Sequence, residues 1–303
     1  MNEKKKIEKK SRAVFDKIHV EQAKDQEIFK RLTALLDTEY LKVPKNFFEG
    51  RVCLDAGCGS NVNASYAMLS MGAEKVHAFD LDESIFKTAP KILGEFGKEG
   101  KRWELKVGNV HNIPYPDNFF DFVHCAGVLH HSTDIYKGLA ELCRVVKPGG
   151  MLHVSVNGSG GIMRDFSNVL RDRYQKDSGF KKLIDNLRGK DLLTLWDWIS
   201  REMESHGDNS QLSREAARQL FNEDLVLTIK DRVQAPLYLE TTEQEMKDFL
   251  HKHGFRKIER LKKYPVQHNI RRYLAPFYND YDHPIARLLY GDGIPRFRAI
   301  KQM

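Results

Sequence analysis

Between Arg51 and Val156, short apolar segments alternate with stretches that have helical periodicity. The helical stretches lie at 62–72, 83–97 and 134–146. This alternation is typical of βαβ units, whose right-handed crossovers build a parallel sheet with all carboxyl ends at one edge. We therefore expect a ligand to bind along that edge. The predicted strands are RVCLDAG, KVHAFDLD, WELKVGN, FFDFVHC and MLHVSV.

The regions on either side of this core have other patterns. Residues 6–37 space their apolar side chains as an amphipathic helix does, and residues 162–230 are mostly helical in pattern. Thr242 as N-cap, Glu245 three residues later and Gly254 as a stop predict a helix followed by a strand. Prolines, glycines, arginines and tyrosines in the tail predict an irregular segment packed on the body. The predicted divisions are an N-terminal helical lid at 1–49, the core at 50–156, an inserted helical cap at 157–235, completion of the core at 236–264 and a basic aromatic tail at 265–303.

Composition limits the class of protein. A chain of 303 residues with 41% hydrophobic and 30% charged side chains has the balance of a soluble globular protein with two domains or one large insertion. The chain lacks an apolar run long enough to cross a bilayer, and MNEKKKIEKK is not followed by the apolar stretch of a secretory signal. Four cysteines without a CxxC pair argue against zinc and a disulfide framework. We expect a cytoplasmic protein without a bound metal.

The net charge of +7 is unevenly distributed. Residues 1–24 carry a net charge of +4 and residues 251–303 a net charge of +8, which leaves the remainder at −5. Basic ends on an acidic body favour an anionic partner or substrate, while solvated lysine runs are the plainer interpretation.

Polar residues follow the first three predicted strands. Gly57 and Gly59 after the first strand allow a sharp turn close to a ligand, but the third glycine of a dinucleotide-binding turn is absent. Asp80 ends the second strand about 20 residues later, where a carboxylate can accept the hydroxyls of a ribose. Asp82 is expected to cap the next helix, and Asn109 after the third strand either pairs with an adenine or closes a turn. This order predicts an adenosine ligand without a pyrophosphate.

These segments resemble the class I S-adenosylmethionine-dependent methyltransferases. LDAGCGSN is similar to the glycine-rich first motif, HAFDLD to the acidic second, GNVHNIPYPDNFFDFVHCAGVLHH to the third and fourth, and RVVKPGGMLHVSV to the fifth-strand motif. The resemblance covers residues 50–156 and 240–264, and it departs from the family where Asn61 replaces a commoner glycine and Asn109 a commoner Asp.

The resemblance implies an α/β fold: a Rossmann-like, doubly wound, mostly parallel sheet with an inserted helical cap and an N-terminal helix. It implies S-adenosyl-L-methionine as cofactor, held at the carboxyl edge. Carried over by position, Asp55, Gly57 and Gly59 surround the methionine part, Asp80 with Leu81 holds the ribose, Asn109 with Val110 meets the adenine, and the backbone of Cys125 and Ala126 lies beside the cofactor.

The acceptor side is predicted from three further groups. His130 and His131 follow the fourth strand, where a histidine either acts as a base or substrate ligand or packs and caps the turn. Asn157 follows the fifth strand and is a candidate substrate contact. In the tail, Arg271, Arg272 and Tyr273 either bind an anionic group of the substrate or form ordinary ion pairs with the body.

We therefore expect a methyltransferase that acts on an O, N or S atom of a small polar or anionic metabolite. A nucleic-acid methyltransferase that uses the basic termini is the first alternative, although an RNA-binding motif is not recognisable. A non-catalytic regulator that binds an adenosine ligand is the second alternative, because a fold does not prove turnover. No membrane partner is expected, and the oligomeric state, a homodimer included, is left open.

Overall fold

In the computed structural model, the described residues are 3–208, 213–262 and 282–303. They divide into two compact units. The first comprises Met1–Gly160, Pro236–Lys263 and Asp292–Met303, and the second Gly161–Ala235 and Tyr264–Gly291, each as far as the chain is described.

The first unit contains the sheet and the helices that cover it. Its N-terminal part has α1 (Glu3–Lys24), α2 (Gln26–Thr33), β1 (Val52–Ala56), α3 (Asn63–Ser70), β2 (Lys75–Asp80), α4 (Ile85–Leu93), β3 (Trp103–Val107), β4 (Phe120–Ala126), α5 (Ile135–Val145) and β5 (Val146–Ser155). Short 3₁₀ turns lie at Gly94–Phe96 and Leu129–His131. The second unit follows with α6 (Ile162–Lys176), α7 (Ser178–Asn186), α8 (Gly189–Ser205), α9 (Arg214–Leu220) and α10 (Glu223–Gln234). The chain then adds α11 (Glu243–Lys252) and β6 (Phe255–Arg260) to the first unit, α12 (Pro284–Tyr290) to the second and β7 (Arg296–Lys301) to the first.

The described residues form one sheet of seven strands in the order β3-β2-β1-β4-β5-β7-β6. Strands β1 to β5 are parallel, while β7 is antiparallel to both β5 and β6. The strand order reverses between β1 and β4, which is the point where open α/β sheets form a ligand crevice. The prediction of an α/β fold with a mostly parallel sheet is confirmed.

Both faces of the sheet are covered by apolar side chains. Leu54 and Val123 belong to one buried cluster, and their neighbours Cys53 and Phe122 belong to the cluster on the opposite face. Side chains alternate between faces along a strand, so continuous apolar segments such as VCLDA are buried on both sides. None of the helices in the described part of the chain combines the length and hydropathy needed to span a bilayer.

The predicted elements are confirmed except in the tail. Thr242 caps α11 in a reciprocal arrangement with Glu245, and α6 to α10 lie in the stretch predicted to be helical. The expectation of an irregular tail is wrong for residues 284–290, which are helical, and for residues 296–301, which form β7 inside the sheet. Phe297 and Ala299 are fully buried while Arg296 and Arg298 are not, so β7 has the alternation of a half-covered strand.

Candidate active site

The turn after β1 brings the backbone close to the end of β2. Gly57 and Gly59 have φ angles of +77° and +60°, a region that glycine adopts with the least strain. A Cβ atom on Gly57 would lie 2.8 Å from Cγ1 of Val128. The N–H groups of Gly57 and Cys58 both donate to the carbonyl of Phe79, at 2.9 and 3.0 Å. The two glycines are therefore required by the geometry of the turn.

The Asp80 carboxylate lies between this turn and the start of α4. Its Oδ2 accepts the N–H of Gly59 at 2.9 Å, and its Oδ1 accepts the N–H of Asp82 at 3.1 Å. Each carboxylate oxygen can accept a second hydrogen bond, so Asp80 retains acceptor capacity for a ligand. Asp82 accepts the N–H of Ser84 and thereby orders the turn into α4, as predicted. Leu81, between Asp80 and Asp82, is half-buried.

Asp55 is directed into the fold. Only 2% of its surface is exposed, and its Oδ2 accepts both the N–H (2.9 Å) and the hydroxyl (2.6 Å) of Ser65 in the first turn of α3. Burial raises the pKa of Asp55 to about 6, and the hydrogen bonds from Ser65 oppose that rise. Asp55 thus stabilises the start of α3 after the glycine turn. The position of Asp55 beside the methionine part of a cofactor stays a prediction.

Asn109 closes the turn after β3 and also contacts α1. Its Oδ1 accepts the N–H of His111 at 2.9 Å, and its Nδ2 donates to Oε1 of Glu8 at 3.0 Å. Val110 is 5% exposed and belongs to the core under this turn. Of the two roles considered for Asn109, closure of the turn is present, and pairing with an adenine stays a prediction.

The two histidines follow β4 in the 3₁₀ turn. Nδ1 of His131 lies 3.2 Å from the carbonyl oxygen of Leu237. Because a carbonyl oxygen can only accept, Nδ1 carries the hydrogen and Nε2 is the basic nitrogen of the neutral ring. The ring of His130 lies 4.1 Å from that of His131, and both rings lie 5.2 Å from the ring of Tyr238. At the end of β4 itself, Cys125 is fully buried and Ala126 is partly exposed.

Asn157 follows β5 at the same edge of the sheet. It is 1% exposed, and within the described part of the chain its Nδ2 has no hydrogen-bond partner. Its carbonyl accepts the N–H of Thr241 at 3.1 Å, which joins the end of β5 to the segment that carries Leu237 and Tyr238. A buried amide donor without an acceptor costs about 1–3 kcal/mol, so a ligand oxygen at this position would recover that free energy.

Helix α1 contacts this edge at three places. Besides the contact between Glu8 and Asn109, the ring of Phe15 lies 4.3 Å from that of His131. A Cβ atom on Gly59 would lie 2.6 Å from Nδ1 of His19, so His19 lies against the glycine turn. The three contacting side chains are 7 and 4 residues apart, which places them on one face of the helix.

The structure thus brings together most of the predicted site residues. Arg271, Arg272 and Tyr273 lie outside the described residues. Sequence reasoning missed Glu8, His19, Leu237 and Tyr238, because each belongs to a segment far from the motifs. The 7- and 4-residue spacing of Glu8, Phe15 and His19 on α1 is the sequence feature that these side chains share, and it is equally typical of a solvated helix face. In the described part of the chain, the histidines, cysteines and carboxylates form no cluster of three or more that could hold a metal ion.

Parts of this chain are similar in sequence to known proteins. Residues 54–154 match a family model described as a methyltransferase domain. The ubiquinone/menaquinone biosynthesis C-methyltransferase UbiE of Psychromonas ingrahamii is 33% identical over 107 residues, which are 35% of this chain and 42% of that protein. The tRNA U34 carboxymethyltransferase of Nautilia profundicola is 26% identical over 226 residues, with 67% of this chain and 70% of that protein covered.

Among solved structures, the fold is similar to that in a Haloferax volcanii complex of the Trm112 methyltransferase activator with a methyltransferase. The TM-score is 0.52 with 13% sequence identity, and the match covers 97% of this chain and 98% of that one. This chain aligns with less than half of the length of the first curated relatives. The residues matched by the family model include the strands that build the site, and this part of the chain is similar to a methyltransferase domain.

Proposed function

We propose that this chain transfers the methyl group of S-adenosylmethionine to an O, N or S atom of a small polar or anionic metabolite. The choice of cofactor rests on the match of residues 54–154 to a methyltransferase domain and on the carboxyl edge of β1 to β4. The acceptor part rests on one observation, the hydrogen bond between Nδ1 of His131 and the carbonyl of Leu237.

The residues at the edge fit the proposed cofactor. The cofactor supplies an activated methyl group on a sulfonium when it is bound. Asp80, which keeps acceptor capacity beyond its bonds to Gly59 and Asp82, would accept the ribose hydroxyls. Gly57 and Gly59 admit the backbone close to the methionine part, and Asn109 lies at the adenine end.

His131 is the proposed base. Its hydrogen on Nδ1 is directed to Leu237, so Nε2 takes a proton from an acceptor O–H, N–H or S–H group. The nearby Phe15 ring helps to exclude water from this side of the site. The buried Nδ2 of Asn157 would donate to an oxygen atom of the acceptor and orient it.

An RNA substrate is the second candidate. The relative named as a tRNA U34 carboxymethyltransferase aligns over two thirds of this chain, a longer match than that to the quinone enzyme. The net charge of +4 on residues 1–24 is compatible with phosphate contacts.

A binding and transfer assay tests the proposal. Calorimetry with S-adenosylmethionine and S-adenosylhomocysteine should give saturable binding, and tritium from the labelled methyl group should appear in one member of a panel of small hydroxyl, amine and thiol acceptors. Labelling of total tRNA that weakens steeply between 50 and 200 mM salt would favour the second candidate and contradict the first. Absence of binding to either nucleoside would refute both.

A further inference from the structure

The turn after β3, where the proposed function places the adenine, carries the hydrogen-bonded side chains of Asn109 and Glu8. Asn109 stands where the resembled family more often has an Asp, so β3 offers a neutral amide in place of a carboxylate. That amide is already oriented, because its oxygen accepts the N–H of His111 and its nitrogen donates to Glu8. One lone pair of the Asn109 oxygen thus serves the turn, and the amide nitrogen donates to α1.

The 6-amino group of adenine is a hydrogen-bond donor and needs an acceptor. The carboxylate of Glu8 is hydrogen-bonded to Asn109 and provides a charged acceptor beside this neutral amide. We propose that Glu8 is a cofactor-binding residue, whose carboxylate accepts a hydrogen bond from the 6-amino group of the bound adenine. This inference rests on the proposed function, since it requires that S-adenosylmethionine binds at this edge.

The chemistry of the Glu8 carboxylate suits this role. A carboxylate has about four lone-pair positions, and the bond from Nδ2 of Asn109 uses one of them. That bond also orients the carboxylate against the turn after β3. A hydrogen bond to an ionised acceptor is stronger than one to a neutral amide, so Glu8 replaces the missing Asp with an equivalent acceptor.

The remaining contacts of α1 keep Glu8 in place. Phe15 packs on His131 and His19 lies against Gly59, so the helix is held along the edge at the acceptor side, at the glycine turn and at the adenine end. From Glu8 to His19 the helix rises about 16 Å. Glu8 therefore reaches the adenine as part of a helix that is fixed independently at two other points.

The test uses the product of the cofactor, S-adenosylhomocysteine, and an analogue that differs from it only at the base. S-adenosylhomocysteine has a 6-amino group, whereas S-inosylhomocysteine has a 6-oxo group that can only accept. Dissociation constants for both are measured by calorimetry with the wild type, Glu8→Ala, Glu8→Gln and the control Glu27→Gln. The Glu27 side chain is 83% exposed on the neighbouring α2.

We expect the wild type and the control to bind the adenine compound more tightly than the inosine compound. In Glu8→Ala, the ratio of the two dissociation constants should fall about tenfold. In Glu8→Gln, which keeps a neutral acceptor and the helix, this ratio should fall less. Equal weakening of both compounds in Glu8→Ala would assign Glu8 a purely structural role and overturn the proposal, as would an unchanged preference. A wild type that binds neither compound would instead refute the proposed function.

Discussion

Replacing Asp55 by Asn removes a charge from the interior while nearly preserving the shape of the side chain. Burial raises the pKa of Asp55 to about 6 in the folded protein, from its ordinary value of 3.8. The folded state thus binds a proton more tightly than the unfolded chain. The resulting stabilisation is complete below pH 3.8 and is lost as the pH rises through 6.

The magnitude follows from these two values. A pKa difference of about 2 corresponds to about 3 kcal/mol, of which about 1 kcal/mol is lost between pH 5 and pH 8. Asn is neutral at every pH and can still accept the N–H of Ser65. The stability of Asp55→Asn relative to the wild type should therefore be greater at pH 8 than at pH 5, by about 1 kcal/mol.

Urea unfolding followed by circular dichroism between pH 5 and pH 8 measures this difference. Comparing the two proteins at each pH cancels the titration of all other groups. Asp248→Asn on α11, which removes an exposed carboxylate, is the matched control and should run parallel to the wild type. Parallel curves for Asp55→Asn as well would show that the buried carboxylate does not titrate as its surroundings require.

Three other substitutions test the site. Gly57→Ala should lower the free energy of unfolding by about 2–4 kcal/mol through backbone strain and contact with Val128. Gly100 has a φ of +85° and open space around it, so Gly100→Ala should cost only the strain. Equal decreases of the melting temperature in the two variants would contradict this. Asp80→Asn should weaken S-adenosylhomocysteine binding about 10- to 100-fold by calorimetry, and an unchanged affinity would remove Asp80 from the ribose site. His131→Ala should lower kcat about 10²- to 10⁴-fold with the affinity for S-adenosylhomocysteine kept, and wild-type turnover would show that the ring only packs.

The core of the fold could be predicted because its signals are local. Each of β1 to β5 contains several apolar residues within a short segment, and the capping pair Thr242 and Glu245 marks the start of α11 within four residues. Strand β7 was missed because RFRAIK alternates two buried side chains with charged ones. That pattern is equally typical of an exposed segment, and only pairing with β5 and β6 makes it a strand.

The candidate site divides in the same way. The glycines and Asp80 could be found because motif spacing along consecutive βα units fixes their place at the edge. Glu8 and His19 could not, since they reach the edge from a helix that precedes the first strand by some thirty residues. Their charge and periodicity are equally compatible with a solvated helix face.

His131 shows most clearly where local reasoning ends. The motif places a histidine after β4, but the hydrogen on Nδ1 depends on the carbonyl of Leu237, 106 positions further along the chain. The same segment donates from Leu239 to the carbonyl of His130 at 2.7 Å and from Thr241 to the carbonyl of Asn157. Residues 237–241 therefore orient both proposed acceptor-side groups, although they follow the large helical insertion and contain none of the motifs. Changes in that segment would alter the orientation of the proposed base and the choice of acceptor while leaving the proposed cofactor residues intact, which is how one core can serve different acceptors.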